Sequence, residues 1–118
     1  VAAAAENNSA LATSGELMSV VVRGDSEGLG ALTVVEQRRY LHLAVQVFQS
    51  WEALYLQTLN GTIEESFWVS KRTGLASTLS NRGVRDFWAA NGHLWFDPRF
   101  QEEIAAIAKE AGIELEQS

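Results

Sequence analysis

Glu52 is the residue whose type and surroundings come closest to chemistry. It stands in FQSWEALYLQTL, residues 48–59, between Trp51 and Tyr55 on a stretch otherwise built for burial. An ionised carboxylate without partners in apolar surroundings costs several kcal/mol, so it must take up a proton, find a donor or border water. A structural solution is a tryptophan indole, a tyrosine hydroxyl or an arginine such as Arg72 or Arg85, and that pairing is the expectation. A chemical solution is a small pocket in which Glu52 and an aromatic cage of Trp51, Tyr55, Trp68 and Trp88 meet a ligand, for which a cation suits carboxylate plus indole. His93, read as a turn residue in NGHLWFDP beside Trp95 and Phe96, is the remaining ligand-binding candidate.

Little else in the chain carries a reaction. HExxH, GxSxG, GxxxxGK[ST] and GxGxxG are all missing, which removes the commonest zinc-protease, serine-hydrolase and nucleotide-binding readings. His42 falls on the polar face of its helix and neither histidine has a second ligand at helical spacing, so no metal site and no cofactor are expected. With no cysteine in the chain, disulfides and thiolate chemistry are excluded, a condition that fits cytoplasm and periplasm alike. Arg23-Gly24-Asp25 spells an adhesion tripeptide that a glycine turn explains.

The composition is that of a globular protein. A chain of 118 residues, 47% hydrophobic and 20% charged, makes one domain with a core. The net charge of −6 and the want of a basic stripe exclude nucleic acid as a partner. No run approaches the roughly 18 apolar residues of a membrane span, so direct membrane insertion by this segment is not expected. One proline and nine glycines leave long uninterrupted stretches, which favours helices.

The punctuation places those helices. Thr33 with Glu36 forms a capping box, the apolar pattern runs to Leu59, and Asn60-Gly61 supplies a left-handed stop. Thr62 with Glu65 repeats the capping pattern, so residues 33–59 and 62–80 are expected to form an antiparallel helical hairpin. Gly83 is read as a break, GVRDFWAAN as a short helix ending at Gly92, and Asp97-Pro98 as the opening of a last helix closed by Gly112. RGDSEGLG, residues 23–30, is expected to be a loop after a looser helical segment over 1–22. On a helical wheel of 33–59 the apolar arc covers more than half the circumference, with Glu52 about 40° from Phe48 and inside that arc. LWF at 94–96 cannot all face one core from a helix, which marks a patch for a partner.

LTVVEQRRY, FQSWEALYLQTLNGTIEESFW and GVRDFWAANGHLWFDPRF together resemble a widespread set of uncharacterised bacterial proteins. The shared elements fall on Thr33 and Glu36, on Trp51-Glu52 with Tyr55 and Gln57, on Gly61 to Trp68, and on Phe87-Trp88 with Phe96, Pro98 and Phe100. The resemblance spans roughly residues 15–105 and brings no established activity. It implies a membrane-spanning helix ahead of the domain, joined by a helical segment like residues 1–22, and an opening on Val1 in place of methionine fits a segment upstream.

The sequence therefore predicts an all-α domain of four to five helices around a long antiparallel hairpin, with 33–112 as its core. Its expected function is a non-catalytic interaction or oligomerisation module, binding a protein partner or itself and membrane-tethered in full length. The alternative is a sensory or enzymatic domain taking a small-molecule ligand at the Glu52 pocket.

Overall fold

The structure, a computed structural model, describes residues 2–115 and the side chains from Ser14 onward. It is all helical: α1 Ala2–Glu27, a 3-10 turn Leu29–Ala31, α2 Val34–Leu59, α3 Glu65–Leu79, α4 Arg82–Trp95 and α5 Pro98–Glu110. No helix among the described residues is long and apolar enough to cross a membrane.

Local chemistry sets several boundaries. The Glu36 amide donates to the Thr33 hydroxyl at 3.2 Å and the Thr33 amide to the Glu36 carboxylate at 2.9 Å, which closes the expected box at the start of α2. At its other end Gly61 takes φ +82°, and the amides of Thr62 and Gly61 bond back to the carbonyls of Gln57 and Thr58. This is a Schellman ending. Gly112 ends α5 the same way, with Ile113 bonding back to Ala108 and Gly112 to Lys109. The Asp97 carboxylate accepts the Arg99 amide at 2.8 Å ahead of Pro98.

Four expected boundaries move. Thr62 does not cap α3: its hydroxyl donates to Asn60 at 2.6 Å, completing the α2 ending, and the helix starts at Glu65 behind Glu64. Gly83 lies inside α4, and the helix continues past Gly92 to Trp95, so His93 sits in its last turn and not in a loop. Residues 23–27 are helix, where a loop was expected.

That last change is explained by tertiary contact. The backbones of α1 and α4 meet at Gly24 and Gly83, where a Cβ on Gly83 would lie 2.4 Å from the Gly24 carbonyl and 2.7 Å from the Tyr40 hydroxyl. Around this crossing the Tyr40 hydroxyl donates to Asp25 at 2.6 Å, Arg23 pairs with Glu36, and Asp86 accepts the Leu29 amide at 3.0 Å. The RGD letters thus serve packing: a cation for α2, a backbone contact for α4 and an acceptor for a buried phenol. Burial, followed by the Asp25 bond, pushes the Tyr40 hydroxyl well above the usual tyrosine range.

The hairpin runs antiparallel: Tyr55 of α2 packs on Trp68 of α3, while Leu43 and Ala44 share a cleft with Thr78. α4 crosses beneath it and touches every other helix. The core is aromatic, with Phe48, Phe87 and Phe100 fully buried beside Leu75, Leu79 and Ile104. Phe48 is the hub, its ring centroid 5.5 Å from Trp51, 5.6 Å from Phe87, 5.2 Å from Trp88 and 6.2 Å from Phe96.

Gly83→Ala is expected to lower stability by about 1–3 kcal/mol, because the methyl meets backbone that cannot yield. Gly74, with open space around its Cβ position, is the control: Gly74→Ala in mid-helix raises stability by up to ~1 kcal/mol. Urea denaturation of both variants checks the pair.

A second expectation concerns acid. The hydrogen bond from Arg23, and then that from the Thr33 amide, lower the Glu36 pKa to about 2 from an ordinary value of 4.5. A depressed carboxylate stabilises the fold fully above its unfolded value and loses that contribution as pH falls towards the folded one. Glu36→Gln should therefore flatten the loss of melting temperature between about pH 4.5 and pH 2, and an unchanged acid limb contradicts the pairing.

Candidate functional site

Glu52 lies one turn beyond Phe48 on α2 and is half-buried, not enclosed as the wheel implied. Its carboxylate accepts the backbone amide of Asp97 at 2.7 Å. The expected donors are engaged elsewhere. Arg72 bridges Glu103 and Glu110 at 3.3 and 2.7 Å, Arg85 donates to the Ser80 carbonyl at 3.1 Å, and the Trp68 indole donates to Glu103 at 2.5 Å. The acid at 52 fixes the turn that leads into α5 and keeps Asp97 in place as its cap. Asp97 is held below the usual carboxylate range by its bonds from the Arg99 side chain and amide.

The six candidates do not converge on one pocket. Trp51 lies edge-on to Phe48 and is half-buried, and Trp88 stacks on Phe48 inside the core. Tyr55 and Trp68 do meet, with ring centroids 5.0 Å apart, but they line a different cleft from the Glu52 surroundings. His93 is exposed on α4. Among the described residues no group of three or more histidine, aspartate or glutamate side chains could hold a metal ion.

The cleft at Tyr55 and Trp68, between α2, α3 and α5, has a volume of about 470 Å³ and includes Glu65, Arg72 and Glu103. Burial, then the neighbouring Glu103 and Glu102, raise the Tyr55 hydroxyl above its ordinary value. Arg72 was expected near Glu52 and instead pairs with Glu103 and Glu110, neither of which was singled out from the sequence. The available signal was the spacing of Glu103 and Glu110 on α5, two turns apart and so on one face, opposite a lone arginine on α3.

Three further clefts are lined by described residues. An apolar one of about 310 Å³ opens between α1 and α2 above Tyr40 and Asp25, and a polar one of about 450 Å³ lies at Arg82, Arg85, Asp86 and Glu114. The third, about 310 Å³, is a groove between α2 and α4. Leu41 and Val45 form one wall with Phe87 beneath, Arg38 and His42 stand on the α2 rim, and Trp95 stands on the α4 rim. Of the LWF run only Phe96 enters the core, while Leu94 is 68% and Trp95 58% exposed.

The chain matches no protein-family model, no curated protein and no solved structure.

Glu52→Ala should cost about 1–3 kcal/mol in urea denaturation, since the Asp97 amide is left without its acceptor. Glu52→Gln keeps an acceptor oxygen and should cost less than half as much. Equal losses for the two variants would show that the Asp97 bond is not what Glu52 contributes.

Proposed function

We propose that this domain is a non-catalytic helical interaction module whose contact face is the groove between α2 and α4. The observation that carries the reading is Trp95, 58% exposed on the rim of an apolar groove while the other tryptophans are drawn into the ring cluster. A tryptophan carries 150–250 Å² of surface for burial, and large aromatics beside a pocket are the side chains that anchor protein interfaces. Leu94, next to it, widens the apolar patch.

The resemblance to membrane-anchored bacterial proteins fits the same reading. α1 is 26 residues long, roughly 39 Å of helix, and over 14–19 its side chains are exposed apart from half-buried Leu17. Among its described side chains, the first to join the core is Val20. Such a helix suits a stalk between a membrane anchor and an interaction head. A second reading, a small-ligand domain, is supported by the cleft at Tyr55, Trp68 and Glu103 and not by Glu52, whose carboxylate is already engaged.

Trp95→Ala tests the module. An exposed side chain contributes within about 0.5 kcal/mol to stability, so the melting temperature should stay within about 2 °C of the parent. An apolar sulfonate dye such as anilinonaphthalene sulfonate should bind the parent saturably and lose most of that binding in Trp95→Ala. Dye binding that survives Trp95→Ala but is lost in Tyr55→Ala would favour the ligand cleft instead.

A further inference from the structure

Among the four clefts described above, the groove differs in charge. In a chain of net charge −6, each of the other three contains carboxylates: Asp25 in one, Glu65 and Glu103 in another, Asp86 and Glu114 in the third. The α2–α4 groove contains none. Its ionisable groups are Arg38 and His42. His42 lies 3.2 Å from Gln46, whereas Arg38 is exposed and, among the described residues, makes no ion pair or hydrogen bond. The occupant that fits is apolar at its centre and acidic at its edge.

A segment of that description stands on the same molecule. Phe67 is 45% exposed, and it is the one phenylalanine of five that stays outside the core. It stands in the first turn of α3 near Glu64 and Glu65, both exposed and, among the described residues, without ion pairs. Lys71, 5.0 Å from the ring centroid, is the cation on this patch, and the two carboxylates outnumber it. Phe67 cannot reach the groove of its own chain. Tyr55 marks its level on α2 through the Trp68 contact, and the groove lies beside residues 38–45, roughly 20 Å away along the helix axis.

We infer that the groove takes a second copy of this chain, which inserts Phe67 against Leu41, Val45 and Trp95 and sets Glu64 and Glu65 against Arg38. This rests on the interaction-module reading and names its partner. Groove and knob are different surfaces at opposite ends of α2, so the contact is heterologous: each copy still offers a free groove or a free knob, and association proceeds head to tail beyond the dimer. With one aromatic anchor per contact and a charged rim, the association is weak and weakens with salt.

Complementary variants test it. Trp95→Glu spoils the groove and leaves the knob; Phe67→Ser removes the knob and leaves the groove. Light scattering at millimolar concentration should give the parent a mass that climbs past twice 13.0 kDa, while each variant alone stays at 13.0 kDa with an unchanged circular dichroism spectrum. An equimolar mixture of the two should form a one-to-one dimer and stop there. Arg38→Glu should weaken parent association at least tenfold, and pairing it with a Glu64→Arg, Glu65→Arg chain should restore it. A mixture that remains monomeric, a parent that remains monomeric, or variants that still self-associate would each overturn the proposal. Dye binding at Trp95 decides separately: if it persists while the mixture stays monomeric, self-pairing falls and the interaction face stands.

Discussion

The ring of Phe48 organises this domain. It is fully buried and in contact with Trp51, Phe87, Trp88 and Phe96, so one side chain of α2 holds α4 and the turn into α5 in a fixed relation. Aromatic pairs at these separations add to the burial of their area. The cluster continues through Phe100 and Tyr55 to Trp68, which brings in α5 and α3. α1 is held differently. It reaches α4 by a backbone approach at Gly24 and Gly83, with Tyr40 and Asp25 closing the seam.

Glu52 follows from that arrangement. Phe48 fixes the approach of residues 96–97, and the acid one turn along α2 meets the amide that a chain turning into α5 leaves open. A carboxylate in an aromatic stretch looks like chemistry; in this fold it is a backbone acceptor at the rim of the core. Apart from the Tyr40 hydroxyl and the tryptophan indoles, no polar or charged side chain among the described residues is buried. Polar networks lie at its edge, as in the Trp68, Arg72, Glu103 and Glu110 group.

What could be read from the sequence was what neighbours in sequence decide. The Thr33 capping box, the Gly61 and Gly112 endings and the Asp97-Pro98 start depend on residues within a turn of each other, and each lies where the letters put it. What could not be read was decided across the fold. Residues 23–27 stay helical because Gly24 meets Gly83 some sixty positions away, a contact that outweighs the weak helix propensity of glycine. Gly92 does not end α4; it marks a packing site, since a Cβ there would lie 2.7 Å from the Trp88 indole. The wheel placed Glu52 towards the core, but its partner lies 45 residues on, beyond any local pattern. LWF showed that one run could not be wholly buried; which of the three residues turns inward was settled by Phe48.

The functional account turns on two aromatics that the Phe48 cluster leaves out, Trp95 and Phe67. Amide and indole resonances recorded by NMR from micromolar to millimolar concentration test it most directly. Head-to-tail pairing predicts shifts confined to two separate regions, one around Arg38, Val45 and Trp95 and the other around Glu64, Phe67 and Lys71, with Tyr55, Arg72 and Glu103 and the Glu52–Asp97 turn unmoved. Spectra that do not change with concentration, or change only at one region or only around Tyr55 and Glu103, would contradict it.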